Sequence, residues 1–379
     1  MDYEWSAEHN AFRARLKKFL NAHLPEDWEE KSQLDASEPY VADFARTFCP
    51  ALAKEGLLIP HWPRDVGGGG LDAYHHWVLG EEMISVGEPR AYQYMNVNWI
   101  GPAILQFGTP EQIKTLVGGI TRGTDFWCQG FSEPNAGSDL AAMRTRAEKT
   151  ASGWVINGSK IWTSGASVAD YCFLLARTGD TKRTISVFIV PMKTPGIQVK
   201  VVPGVAGARA LHEVFFTNVE VPHAAVLGEE GQGWKVMKGS LNNERIGIPR
   251  YALAQRAVER GIEILKKRGK FKDSGVKAKA ARAIAGCQAA RYQSLEVIDA
   301  RVKGKEPTAK VNVARYAVVL ADRAVSEFLG DCLGDVLISK EDMVIYSAYR
   351  RTSTSGVGAG TAEIQLNTIA REYLELPRE

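Results

Sequence analysis

Between Ser6 and His23 apolar residues recur at the three- and four-residue spacing of one helix face: Phe12, Leu16, Phe19 and Leu20, with charged residues between them. A second run of the same period covers Val41 to Gly56. The turn-forming stretch Pro63-Arg64-Asp65-Val66-Gly67-Gly68-Gly69-Gly70 interrupts the pattern, and helical spacing resumes from Tyr74 through Val117. Up to about residue 124 the chain reads as all-α. Then the period changes. The runs 154–158, 171–176, 184–190 and 214–216 are short, rich in β-branched and aromatic residues, and bounded by Gly, Pro and Asn, as strands are. After Gly231-Gln232-Gly233 the helical period returns almost to the end, as a bundle requires. The expected fold is α+β: an N-terminal all-α domain over 1–124, a middle antiparallel β domain over 125–230 and a C-terminal four-helix bundle over 231–379. No internal repeat or low-complexity tract is visible.

Composition narrows the function classes. The 379 residues exceed one common domain, and 45% hydrophobic with 24% charged content is that of a chain with a substantial core. A net charge of +3 gives no case for nucleic acid. The densest basic run, Lys266-Lys267-Arg268-Gly269-Lys270-Phe271-Lys272, reads first as a solvated helix end, where positive charge suits the C-terminal dipole. The five cysteines are odd in number, dispersed and free of CxxC pairs, which points to reduced thiols in a cytoplasmic chain. The amino terminus lacks a leader-like apolar core, and no apolar run approaches membrane-spanning length.

Several familiar chemistries fail on spacing. The glycines at 67–70 are followed by no Lys-Ser/Thr and preceded by no strand, so they are no phosphate loop. Gly356-Val357-Gly358-Ala359-Gly360-Thr361 has no βαβ unit around it; it reads as a turn before the last helix, whose amides are free to bind an anion or polarise a carbonyl. No HxxxH or HExxH spacing supplies a metal site, His75 and His76 being adjacent and divergent on a helix, and no GxSxG elbow appears. Glu244, in Leu241-Asn242-Asn243-Glu244-Arg245, is expected near the start of the first helix after the β domain, where a Glu-Arg pair is ordinarily solvated.

Two segments stand apart. Trp127-Cys128-Gln129-Gly130-Phe131-Ser132-Glu133-Pro134-Asn135-Ala136-Gly137-Ser138-Asp139 crowds turn formers against aromatics and small hydroxyl residues, which suits backbone lying close to a flat ligand. Gly158-Ser159-Lys160-Ile161-Trp162-Thr163-Ser164-Gly165 follows. With Thr194-Pro195-Gly196-Ile197, Val219-Glu220-Val221-Pro222, Gly231-Gln232-Gly233-Trp234, Glu244-Arg245 and Gly360-Thr361-Ala362-Glu363-Ile364-Gln365, they occur in an order that resembles the acyl-CoA dehydrogenase family over nearly the whole chain.

That resemblance implies an FAD-dependent α,β-dehydrogenation of an acyl-CoA thioester in lipid metabolism and β-oxidation, with electrons passing to electron-transfer flavoprotein. It assigns Gln129, Phe131, Ser132, Gly137, Ser138, Trp162, Thr163 and Ser164 to the flavin, with Arg268, Phe271 and Thr361 as further cofactor positions. Ser138, Asn242, Arg245 and Ala359 fall at acyl-CoA positions. Many family members carry the catalytic Glu immediately before the C-terminal Gly-Thr, where this chain has Ala359. A minority carries it on the first helix of the bundle, and that position here is Glu244. The Ala359 backbone N–H keeps the other implied role, a hydrogen bond to the thioester carbonyl.

Where a homotetramer of this family offers Arg-x-x-Phe-Gly to the neighbour's cofactor, this chain has only Arg268-Gly269-Lys270-Phe271. At a second such place Ser326-Glu327-Phe328-Leu329-Gly330-Asp331 sets acidic groups where phosphate would lie. The Leu-Glu-Leu-Pro-Arg-Glu tail resembles a bacterial subgroup of heteromeric steroid side-chain dehydrogenases. The implied assembly is a tetramer, α2β2 with a homologous chain. A catalytically silent partner subunit and a flavin oxidase or monooxygenase on the same fold stay open.

Overall fold

A computed structural model describes residues 4–181, 184–205, 207–305 and 309–377, without the side chain of Asn242. The chain packs as two compact units that do not follow chain order: Leu34–Gly70 with Pro89–Glu244, and Met1–Gln33 with Leu71–Glu88 and Arg245–Glu379.

The first unit is built on an eight-stranded sheet. Its strands are β1 (Trp127–Gly130), β2 (Arg146–Lys149), β3 (Gly153–Lys160), β4 (Tyr171–Arg177), β5 (Ile185–Pro191), β6 (Ile197–Gly204), β7 (Gly207–Pro222) and β8 (Val226–Leu227), in the order β6-β7-β3-β2-β4-β5-β8, with β1 on β4. Most pairings are antiparallel, as the strand pattern predicts. β4 also pairs in parallel with β1, Cys128 opposite Cys172, and touches β2 in parallel at Arg146–Arg177. This burial explains its unbroken apolar run Cys172–Ala176, all fully buried. Trp154, Ile156, Phe188, Val214 and Phe216 complete the core on this sheet. The helix Pro39–Lys54 belongs to the same unit. The helical stretch expected through Val117 is present as Ala73–Ser85 and two helical runs over 93–107 and 110–121, each widened by a five-residue π-type turn, at Asn96–Ile100 and Ile113–Val117.

The second unit is helical. Arg250–Lys267, Ser274–Val302, Lys310–Ser339 and Met343–Ser353 pack through Val258, Leu265, Cys287, Leu295, Val325, Phe328 and Leu329, and Ala7–His23 and Ala73–Ser85 join the same body. The Lys310–Ser339 helix is interrupted at Leu333, whose backbone is non-helical. Tyr251 reaches the buried Glu81 with its hydroxyl and accepts from Trp77 Nε1 at 3.1 Å, so these three buried polar groups are paired. Among the described residues no helix is long and apolar enough to cross a membrane, and none of the five cysteines is joined in a disulfide.

Candidate functional site

In the sheet unit the two motif segments lie side by side because three ties hold them, one between backbones and two from the Lys160 side chain. Ile161 N donates to Ser132 O at 2.9 Å. Lys160, fully buried at the end of β3, donates from Nζ to Phe131 O at 3.0 Å and to Glu133 Oε1 at 2.9 Å. Glu133, 7% exposed, also accepts from Thr145 N (2.9 Å) and Arg144 N (2.6 Å). Burial alone would raise the Glu133 carboxyl, but the Lys160 charge and these donors outweigh it and hold it below its ordinary value. Glu133 and Ala136 exchange backbone bonds at 2.9 and 3.0 Å, closing a turn that leaves Gly137 and Ser138 exposed.

Trp162 follows. Its φ of +61° is left-handed, a costly conformation for a bulky side chain, and the residue is 55% exposed. On its far side Thr163 and His212 exchange backbone bonds at 3.0 and 3.1 Å. His212 Nδ1 also lies 3.1 Å from Thr163 O, and burial lowers the imidazole from its ordinary value, so the neutral ring donates there. Gly165 closes the segment at φ +73°, where a Cβ would stand 2.6 Å from the Tyr92 ring. The result is an exposed indole face fixed at both ends. Behind it, buried Thr163 Oγ1 and His212 Nε2 have no hydrogen-bond partner among the described residues. An exposed aromatic plane, a neighbouring glycine turn and spare polar atoms fit a flat heteroaromatic group.

Of the other expected flavin positions in this unit, Gln129 accepts from Trp99 Nε1 at 2.9 Å and Phe131 packs on Phe173 with ring centroids 5.8 Å apart. Ser164 is half-buried. Glu244 requires a correction. The helix carrying it is Gly233–Arg245, so Glu244 lies in its last turn, not near its start. The helix begins eleven residues earlier, and Gly247 and Pro249 follow before the Arg250–Lys267 helix begins. Glu244 and Arg245 are half-buried. Asn242 is a backbone position on this helix; its side chain lies outside the described residues.

The remaining expected residues lie in the helical unit. Ala359 takes a left-handed φ of +59° in the loop 355–361. One face of the Lys310–Ser339 helix grips that loop. Arg315 Nη2 donates to Gly358 O at 3.1 Å, and the Ser355 hydroxyl donates to Asp322 Oδ2 at 2.6 Å. Asn312 donates to Gln365 Oε1 at 2.6 Å, and Gln365 Nε2 in turn donates to Ala359 O and Gly360 O, both at 3.1 Å. Thr361 is occupied as a helix cap, accepting from Ile364 N at 3.3 Å. Arg268 is ion-paired within its own unit, to Asp335 at 2.8 Å and Glu341 at 2.6 Å, which hold its guanidinium above the ordinary value. Phe271 sits in a short turn with Lys266 Nζ 5.6 Å from its ring centroid. At the acidic place, Phe328 and Leu329 are core residues and Asp331 pairs with Lys279 at 2.5 Å.

Lys160, Glu133, His212, Arg315 and Gln365 were not marked by sequence reasoning. The signal for the first two was present, since both sit inside the quoted motifs; a Lys and a Glu read as solvent-facing unless a partner is known. One cluster escaped spacing rules as well: His9, Asp72 and His75 place ligand-type atoms within 4.8 Å of one another. Asp72 is spent on capping the Ala73–Ser85 helix, accepting from His75 N at 3.0 Å and contacting His75 Nδ1 at 2.7 Å. Ser6 plays the same part for Ala7–His23 and contacts His9 Nδ1 at 2.8 Å.

Three sequence profiles match in succession: acyl-CoA dehydrogenase N-terminal domain over residues 6–124, middle domain over 128–219 and C-terminal domain over 231–374. Acyl-CoA dehydrogenase IpdE1 of Mycolicibacterium smegmatis is 32% identical, the match covering 97% of this chain and 98% of that one. Among solved structures, the Tcur3481-Tcur3483 steroid ACAD superposes with a TM-score of 0.90 at 28% identity over all of both chains. The ChsE4-ChsE5 complex of Mycobacterium tuberculosis gives 0.87 at 28%, again over all of both chains.

Proposed function

Since this chain belongs to the acyl-CoA dehydrogenase family, an oxidoreductase family of flavoproteins, we propose that it uses FAD to introduce an α,β double bond into a bulky acyl-CoA thioester. Trp162 carries the reading: a strained, exposed indole, fixed at both ends, next to Ser132 and Ser164. Bound FAD would supply the hydride acceptor for the substrate's β-hydrogen. Gln129, Phe131, Ser132, Gly137, Ser138, Trp162, Thr163 and Ser164 would hold it.

Glu244 is proposed as the base for the α-proton. A carboxylate in a helix's last turn meets the negative end of the backbone dipole, which favours taking up a proton. For the Ala359 N–H we propose the thioester carbonyl, where a main-chain donor would stabilise developing enolate charge whatever the side chain. Ser138, Asn242 and Arg245 are proposed to touch the acyl-CoA.

Arg268 supports a heteromeric assembly. The one arginine expected to reach a neighbour's cofactor is already held by Asp335 and Glu341. We therefore propose an α2β2 tetramer with a homologous chain, a steroid-type or otherwise branched acyl group, and electron-transfer flavoprotein as acceptor, in the cytoplasm. Sequence domains of 1–124, 125–230 and 231–379 belong to the same reading. The two structural relatives named above, one called a steroid ACAD and one a two-protein complex, point the same way.

The test is Glu244→Gln, mixed anaerobically with acyl-CoA thioesters while flavin absorbance is followed. Loss of a general base predicts bleaching slowed by about 10²–10⁴-fold with flavin still bound. Bleaching at the unaltered rate would reject Glu244 as the base. No bleaching of the unaltered assembly with any thioester would favour the silent-subunit reading.

A further inference from the structure

Lys160 and Glu133 have no part in the chemistry just proposed, yet they are the most heavily committed polar groups near Trp162. Lys160 is fully buried, and both described contacts of its Nζ go to the 131–133 segment. The Glu133 carboxylate accepts from three donors on two further segments, Lys160 Nζ, Thr145 N and Arg144 N. Through these two side chains, residues 131–133, 144–145 and 160 become one rigid block. The Thr145 hydroxyl adds a bond to Ser159 O at 3.2 Å.

The block has a specific consequence. Ser132 and Ile161 are joined by a backbone bond one residue from each member of the pair, and Trp162 is the next residue along. A strained φ persists only where its surroundings over-determine it. At Trp162 that constraint comes from the Lys160 tie on one side and the Thr163–His212 exchange on the other. A buried ion pair is weak evidence for stability, because apolar replacements of similar size often do as well. What such a replacement lacks is the bond to Phe131 O and the fixed spacing between Ser132 and Trp162.

We propose that Lys160 and Glu133 are positioning residues that set the separation and orientation of the Ser132 and Trp162 faces for the isoalloxazine ring. The proposal rests on the reading that residues 129–138 and 162–164 line the flavin. It assigns the pair a role in the cofactor's environment, beyond holding the sheet together.

The experiment is a double-mutant cycle on the intact assembly, purified with its partner chain where it has one: Lys160→Met, Glu133→Gln and both. FAD affinity, the visible circular dichroism of bound FAD, kcat and KM are read alongside the unfolding midpoint. In the unaltered background Lys160→Met should weaken FAD binding by about tenfold or more and alter the visible dichroism. kcat should fall by about 100-fold while KM changes little, as a displaced wall predicts. In the Glu133→Gln background the same change should have a smaller effect on affinity, since the Lys160–Glu133 ion pair is already gone and only the bond to Phe131 O remains to be lost. The double variant leaves no lone buried charge and serves where a single one does not fold. Folded variants with unchanged FAD affinity, dichroism and kcat would overturn the proposal, even with a lowered midpoint, and would leave the flavin reading intact. Failure of the unaltered assembly to bind FAD would overturn both.

Discussion

Lys160 and Arg268 are both basic groups held by carboxylates, and the sequence places both in segments that the family resemblance assigns to the cofactor. Lys160 is buried with one carboxylate and one carbonyl, inside the sheet unit. Arg268 lies at the surface of the helical unit with two carboxylates, Asp335 and Glu341. In the first case pairing frees nothing and fixes three chain segments; in the second it neutralises a group that would otherwise be available to a phosphate. The same chemistry locks chain segments together in one place and ties up a surface guanidinium in the other. Depth decides which: water screens and competes with the surface pair, while the buried pair has no alternative partners.

The sharpest way to break that comparison is to remove the buried cation. Lys160→Met strands Glu133 with only its two backbone donors, and breaking one side of a buried pair ordinarily costs about 3–5 kcal/mol. Chemical unfolding of the cofactor-free chain should show a loss of that order. A loss below about 1 kcal/mol would mean the pair is no more committed than a surface one.

Asp322 sharpens the contrast from the other side. It is a packed carboxylate whose contact partner is a hydroxyl, Ser355, with Arg250 and Arg315 further off. Its residue is only half-buried by exposed area, but protein atoms surround the carboxyl densely. That burial raises it to about 6, against only partial opposition from the Ser355 bond and the two arginines. Glu133, with a cation in contact, is lowered instead. The folded state therefore binds the Asp322 proton more tightly than the unfolded chain. Its contribution is largest below about pH 4 and is lost as pH rises through about 6, by at most about 3 kcal/mol. Asp322→Asn should flatten that part of the stability profile relative to the unaltered protein. Identical profiles from pH 4 to 7 would contradict it.

Much of this was legible in the sequence, and what was not has a common cause. The change from helical to strand period near residue 124 and back near 233 is written in the chain, because each period reports one face of one element. β1, β2, β6 and the two-residue β8 were missed. β1 and β2 are only four residues long, too short to show a period, and the exposed strand β6 has no buried face to mark it. The motif segments were legible, but not the tie between them, since nothing local shows that Lys160 at the end of β3 meets Phe131 O and Glu133. Glu244 was singled out by the family resemblance yet placed at the wrong end of its helix, although Trp234, Val236 and Met237 already mark the Gly233 start. The grip on the 355–361 loop comes from Asn312, Arg315 and Asp322, more than thirty residues away in sequence. Local patterns do not carry that kind of information.

What the Lys160 tie holds in place can be tested at Trp162 itself. Trp162→Gly relieves the left-handed backbone but adds freedom to the unfolded chain, so stability should stay within about 1 kcal/mol of the unaltered protein. Trp162→Ala keeps the strain and loses the same ring, and should be the less stable of the two by about 1 kcal/mol. Both should lose FAD more readily. Equal stability of the two variants would show that the +61° backbone is not strained.

Arg268 should give the smallest effect. In Arg268→Ala the exposed pairs to Asp335 and Glu341 disappear, and screened surface pairs contribute little to folding. The unfolding midpoint should not move beyond its experimental scatter, and FAD retention should be unchanged, because the carboxylates already occupy this guanidinium. Reversing the neighbours is the informative counterpart. Asp335→Asn with Glu341→Gln removes both competitors and leaves the arginine free to meet a phosphate. If the segment is an eroded clamp, this double change should increase FAD retention by the chain on its own, while Arg268→Ala does not reduce it. If Arg268→Ala alone strips the cofactor, the arginine reaches FAD despite its ion pairs, and the contrast with Lys160 on which the heteromeric reading leans is lost.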